Sequence, residues 1–247
     1  MNRLLGAWLA VFVTICSAAC GTTTGVVLGA PAAGGPQPSE GSLAEASTPE
    51  AAGEGGSPLV DVSVEVNGDA ATGEQGGATG TPFTDVCPDD EVVIGYQGFL
   101  SGPGVGLTLI GGIQTMCGSL SVNPSSPGQV LTAEGAILPL RGAGQGNAWT
   151  QSCPADQVVV GFAGRSGADL DQVAFECAPW AVEPDGGGGL SAGVAVTLGA
   201  AGGDGGAPYM DTCPAGLLAR GSVGRSGEWV DAFGLLCGTP ALASAGP

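Results

Sequence analysis

The dipeptide Cys-Pro occurs three times, at Cys87-Pro88, Cys153-Pro154 and Cys213-Pro214, and each time a second cysteine follows, at Cys117, Cys177 and Cys237. Each Cys-Pro runs into a Val- or Leu-rich segment: EVVIGYQG, QVVVGFAGRSG and GLLARGSVGRSG. Four residues before each first cysteine stands an aromatic, Phe83, Trp149 or Tyr209, and three residues earlier a glycine, Gly80, Gly146 or Gly206. A further apolar segment precedes each aromatic: VDVSVEV, GAILPL and GVAVTL. Cys, Pro, Gly and aromatic positions agree together, so residues 58–241 are three copies of one unit of about 60 residues and four short strands.

Spacing inside a unit predicts a hairpin. Cys153 and Cys177 are equidistant from Arg165 in the Gly164-Arg165-Ser166-Gly167 turn, and Cys213 and Cys237 from Arg225 in Gly224-Arg225-Ser226-Gly227. Cys87 and Cys117 are equidistant from Gly102 in the longer Ser101-Gly102-Pro103-Gly104 turn. Residues equidistant from a hairpin turn face each other at a separation that suits a disulfide. The expected bridges are therefore Cys87–Cys117, Cys153–Cys177 and Cys213–Cys237, one per unit. Zinc ligation would need Cys pairs converging from different units, and an export signal argues against it.

The second hairpin strand alternates toward its cysteine. Val173 and Phe175, Phe233 and Leu235, and Ile113 should face the core, while Thr115 breaks the pattern. Three four-stranded sheets cannot each bury a face alone, but they can around a pseudo-threefold axis. The expected fold is all-β, three repeated four-stranded antiparallel units arranged as a β-prism.

Composition narrows the function. The net charge is −18, the five basic residues are all arginine, and there is no histidine. Phosphate binding needs clustered Lys and Arg, so nucleic acid is excluded as a partner. Absence of His removes the commonest general base and metal ligand. Carboxylate-only hydrolysis would need two acids converging in a cleft, and the sequence offers no such pair at fixed spacing. The expectation is a non-catalytic protein without metal or cofactor.

The amino terminus reads as an export signal. Arg3 gives a positive start, Leu4 to Ile15 is apolar, and Ser17-Ala18-Ala19 precedes Cys20-Gly21. Residues 1–19 are expected to be removed. The cysteine at the cleavage point resembles a bacterial lipobox, although Ser17 stands where Leu is usual, and that resemblance implies acylation of Cys20. Cleavage removes Cys16; six further cysteines pair, and lipidation accounts for Cys20, otherwise an orphan thiol. Residues 20–57 are Ala, Gly, Pro, Ser, Thr and Glu rich, and read as a disordered acidic tether. Residues 242–247 read as a disordered tail. The expected location is the bacterial cell envelope, lipid-anchored, at the outer membrane or cell surface.

VVVGFAGRSGADLDQVAFEC and ARGSVGRSGEWVDAFGLLC resemble the GxSGxxxDxxG hairpin of jacalin-like lectins, which have the β-prism I fold. The threefold repeat with paired cysteines also resembles vitelline-membrane outer-layer proteins. The lectin resemblance implies monosaccharide binding by the Gly and Asp of a GxxxD loop, here Gly167 with Asp171 and Gly227 with Asp231. Glycine would let the backbone approach and donate N–H groups to hydroxyls, and the carboxylate would accept charge-assisted hydrogen bonds. Trp229 lies inside its loop as an apolar face, and Asp169 adds a second carboxylate to the other. The first unit has Gly111 where these Asp residues align. Turn chemistry alone is the other reading of the tips, with Asp bonding its own backbone and Arg165 and Arg225 paired locally with Asp169 and Glu228. The two functions that compete are a glycan-binding surface lipoprotein and a structural or adhesion module of the envelope.

Overall fold

The computed structural model describes residues 64–101, 108–183 and 189–243. The expected signal segment, Cys20, the tether and most of the tail lie outside these residues. In chain order the strands are β1 (Val64–Ala71), β2 (Gln75–Gly76), β3 (Thr81–Val86), β4 (Glu91–Leu100), β5 (Ile110–Val122), β6 (Val130–Ile137), β7 (Arg141–Gly142) and β8 (Ala148–Ser152). They continue as β9 (Gln157–Ser166), β10 (Leu170–Val182), β11 (Leu190–Ala192), β12 (Val196–Thr197), β13 (Ala201–Gly202), β14 (Ala207–Thr212), β15 (Leu218–Ser226) and β16 (Val230–Leu242).

Three antiparallel sheets result, ordered β6-β5-β4-β8, β11-β10-β9-β14 and β1-β16-β15-β3. Each has four strand positions. One edge is broken into short pieces: β7 continues the β6 position, β12 and β13 the β11 position, and β2 the β1 position. The fold is the expected β-prism of three four-stranded units. The phase of the sheets differs from the sequence repeat, however. Each hairpin recruits its outer strands from the segment that follows it, and the last hairpin, β15-β16, is completed by β1, β2 and β3 from the start of the domain. The ends of the domain are thereby paired in one sheet.

Phe162, Phe175 and Phe233 are fully buried with Tyr96 in the middle of the prism. Tyr96 stacks on Phe175 with centroids 4.0 Å apart, and Phe233 meets Tyr96, Phe162 and Phe175 edge-on at 5.4, 5.3 and 5.9 Å. Burying each such ring contributes roughly 2–3 kcal/mol. Tyr96, Phe162 and Ser222 occupy matching places on β4, β9 and β15, as do Thr115, Phe175 and Leu235 on β5, β10 and β16. Thr115 departs from the apolar pattern because it bonds Ser222 at 3.0 Å beside the Tyr96 ring. A second cluster, Val64, Val92, Leu120, Val130, Val158, Trp180 and Leu218, closes the end where the hairpin strands begin. The hairpin tips therefore share the opposite end.

All three expected disulfides form, but they do not join facing residues. The cross-strand partners of Cys117, Cys177 and Cys237 are Val93, Val159 and Ala219. Cys87, Cys153 and Cys213 instead lie in the connections from β3, β8 and β14 to the next hairpin. Each bridge ties the exit from one sheet to the long strand of the next. Polar clasps fall at the same three junctions. Arg141 on β7 grips Asp85 on β3 through Nε at 2.8 Å and Nη2 at 2.5 Å. Gln151 on β8 donates to Val173 O on β10 at 3.0 Å and accepts from Phe175 N at 3.1 Å. Gln75 on β2 donates to Asp211 on β14 at 2.5 Å.

The repeated aromatics have a local cause. Phe83, Trp149 and Tyr209 lie opposite Gly224, Gly98 and Gly164 in cross-strand pairs. A Cβ on Gly224 would meet the Phe83 ring at 2.9 Å, and one on Gly164 would meet the Tyr209 hydroxyl at 2.8 Å. The aromatic covers the place where glycine has no side chain.

Candidate functional site

The candidate carboxylates stand at irregularities in the ladder. In the second sheet Leu170 pairs with Ser166 and Gln172 with Arg165, so Asp171 is an extra residue, a β-bulge. In the third, Val230 pairs with Ser226 and Ala232 with Arg225, leaving Asp231 as the extra residue. The first sheet keeps the bulge at Gly111, between the Leu100–Ile110 and Phe99–Gly112 pairs. A bulge breaks the in–out alternation and re-aims one side chain. Both Asp residues are consequently turned inward beneath the hairpin tip, each only 7% exposed.

A glycine loop along the broken edge meets each bulge. Gly203 N donates to Asp171 O at 2.9 Å, Gly77 N to Asp231 O at 2.8 Å, and Ala143 N to Gly111 O at 2.7 Å. Each loop then approaches the carboxylate itself. A Cβ at Gly206 would lie 2.5 Å from Asp171 Oδ2, and one at Gly205 or, in the third sheet, at Gly80 would collide with the carboxylate of its own site. Gly206 and Gly80 also hold φ of 60° and 73°, the left-handed region that favours glycine.

The two arginines hold these loops in place. Arg165 donates from Nε to Gly205 O and from Nη2 to Gly206 O, both at 2.7 Å. Arg225 donates from Nε to Thr79 O at 2.7 Å and from Nη2 to Gly80 O at 3.0 Å. The expected local pairs with Asp169 and Glu228 are thus replaced by a planar fork onto two successive carbonyls, which matches guanidinium geometry better than a flexible tip acid does. Phe99 takes this position in the first sheet, where Gly111 takes that of the carboxylate. The first unit therefore lacks both the acid and the arginine.

The tip glycines act differently from expectation. Gly167 N donates to Asp169 O and Gly227 N to Trp229 O, each at 3.0 Å, so these N–H groups close the tip turn. Their contribution to a ligand would be close approach. Asp169 and Trp229 occupy the same place in their respective tips, and both are half-buried.

Electrostatics separate the carboxylates. Thr79 Oγ1 donates to Asp231 Oδ1. Asp231 Oδ2 is buried and has no hydrogen-bond partner among the described residues. Burial holds the Asp171 carboxyl above its ordinary range, opposed by the nearby Arg165 charge. Burial also raises Asp169, with the Asp231 and Asp171 charges pushing the same way.

No protein-family model matches the chain, and no curated relative matches it. Solved structures resemble it. Calystegia sepium agglutinin is 17% identical over 70% of this chain and 97% of that one, with a TM-score of 0.45. AcmJRL, a mannose binding jacalin related lectin from Ananas comosus, is 18% identical over 70% and 99%, with a TM-score of 0.43. Single chain recombinant jacalin is 14% identical over 70% and 95%, with a TM-score of 0.45.

The structure brings Gly167 and Asp171 together with Gly205 and Gly206, and Gly227 and Asp231 together with Thr79 and Gly80. Sequence reasoning missed the second member of each set. Its signal was present in Gly80 and Gly206, which recur ahead of each aromatic but read only as repeat markers. Among the described residues no group of His, Cys, Asp and Glu is arranged to hold a metal ion.

Proposed function

We propose that this protein is a non-catalytic glycan-binding lipoprotein of the bacterial cell envelope, with sugar sites at the second and third hairpin tips. Gly167, Asp169 and Asp171 would serve one site, and Gly227, Trp229 and Asp231 the other. The observation that carries the reading is Asp231 Oδ2, a buried carboxylate oxygen with no donor among the described residues. Leaving such an acceptor unsatisfied costs about 1–3 kcal/mol, and a sugar hydroxyl would supply the missing donor once the Gly80 backbone that covers it shifts. Both Asp residues sit at bulges, closely covered by glycines whose backbone leaves no space for a side chain. Turn chemistry alone accounts poorly for this, because Asp231 bonds Thr79 in a distant loop rather than its own backbone.

Catalysis by these acids has little support: Asp171 and Asp231 belong to different sheets, and histidine is absent. Acylation at Cys20 would place the domain at the envelope on the acidic tether. Metabolic labelling with a tagged fatty acid tests the anchor, and loss of label in Cys20→Ala is expected. The sugar reading is tested on a glycan array with the disulfide-intact protein and its Asp171→Asn, Asp231→Asn double variant. Binding by the first and not the second is expected. A blank array from folded protein would favour a structural or adhesion module instead.

A further inference from the structure

The two tip sites are joined by backbone. The second tip packs on the glycine loop of the third sheet so closely that a Cβ on Gly77 would collide with Ala168 O. The same loop is tied to the second sheet by the Gln75–Asp211 hydrogen bond at 2.5 Å. Asp169, next to Ala168, feels the charges of both Asp171 and Asp231. The first tip meets the second sheet in the same way, with Gly203 against Thr108 O, but the first unit has Gly111 in place of a carboxylate. Among the described residues, this packing brings two acid-bearing sites side by side at the seam between the second and third sheets.

Resting on the sugar-binding reading, we infer that the two tips form one composite site that holds two neighbouring residues of a single uncharged glycan, with Asp169 at the seam as the residue that rejects acidic sugars. The chemistry of the donor set sets the ligand class. Asp169 stands at this seam beside the two acid-bearing tips, and the nearby arginines Arg165 and Arg225 direct their guanidinium groups to backbone carbonyls. A ligand that donates hydroxyl hydrogens is favoured there, and a uronic acid meets three carboxylates set against two arginines, a net negative charge. Two subsites on a rigid seam engage one chain at high effective concentration, so a disaccharide that spans them gains affinity without new contact chemistry.

The test is calorimetry on the disulfide-intact protein with methyl glucoside, mannoside and galactoside, the disaccharides of the hexose that binds, and methyl glucuronide. The best disaccharide is expected to bind about a hundredfold tighter than its methyl hexoside, with one disaccharide per chain. Asp231→Asn should reduce the disaccharide to hexoside affinity while Asp171 keeps hexoside binding. Asp169→Asn should bring methyl glucuronide toward the affinity of the neutral hexoside. Equal affinity for hexoside and every disaccharide, at two sites per chain, would overturn the composite site and leave the sugar-binding reading intact. Binding of no hexoside and no disaccharide would overturn both.

Discussion

The hydroxyl of Thr79 donates to Oδ1 of Asp231, across the edge of the third sheet, while Oδ2 of the same buried carboxylate is left without a donor. Thr79→Val keeps the shape of the loop and removes the donor. The variant is expected to lose about 2 kcal/mol of stability in urea unfolding, because a buried carboxylate then has neither oxygen satisfied. Thr79→Ser, which keeps the hydroxyl, should lose much less. Equal losses in the two variants would mean that the hydrogen bond contributes little.

The Asp171 carboxyl should be a stability liability. Burial raises it above the ordinary value of 3.8, partly offset by Arg165. The folded state then binds more protons than the unfolded state between the two values. Stability from this group is therefore fully present below 3.8 and is lost as pH rises through the folded value. Asp171→Asn should leave the melting temperature at pH 7 unchanged or raised, and should flatten its rise on acidification. A lower melting temperature at pH 7 would show that the charged form is held by favourable contacts instead.

The Arg141–Asp85 clasp joins the third sheet to the first where the ends of the domain meet. Asp85 is 7% exposed and the arginine side chain 33%, so the pair lies between a surface and a buried salt bridge. Arg141→Ala also removes the guanidinium from the Phe83 ring, 5.3 Å away. The expected loss is about 2 kcal/mol, between the surface and buried limits. Urea unfolding checks it; a change below about 0.5 kcal/mol would place the clasp with ordinary surface pairs.

Asp90 and Asp156 hold φ of 65° and 61° in the turn after Cys-Pro, where the third unit has Gly216 at 80°. Asp156 offsets its strain by accepting from Thr132 N at 3.2 Å. Asp90→Gly is expected to stabilise the protein by about 1 kcal/mol, read as a higher urea midpoint. The same change at Asp156 should gain less or lose stability.

The repeat, the hairpins and the disulfide partners were legible because cysteine spacing and two-residue alternation are local and periodic. The sheet phase was not. Which segment completes a hairpin is decided by the closure of the ring, and nothing in VDVSVEV marks it as a partner of the last strand rather than the next. The disulfide cysteines do not face each other because the hairpins turn at residues 167–169 and 227–229, three residues past Arg165 and Arg225, which lie within β9 and β15. Asp171 and Asp231 were found through a resemblance in the hairpin motif. Their inward aim depends on one extra residue, which periodicity does not reveal. Nearby acids are the only partners for Arg165 and Arg225 that local sequence suggests, because the glycine loops they hold are distant in sequence, Arg225 reaching Thr79 across the paired ends of the domain.

The most direct test of the account is a glycan array probed with the disulfide-intact protein beside Asp171→Asn, Asp231→Asn and the double variant, each verified as folded by its unfolding transition. The account predicts a reproducible signal on uncharged glycans, reduced in each single variant and absent in the double. A signal that survives the double variant would remove the binding site from the hairpin tips, and no signal from any folded form would contradict glycan binding itself.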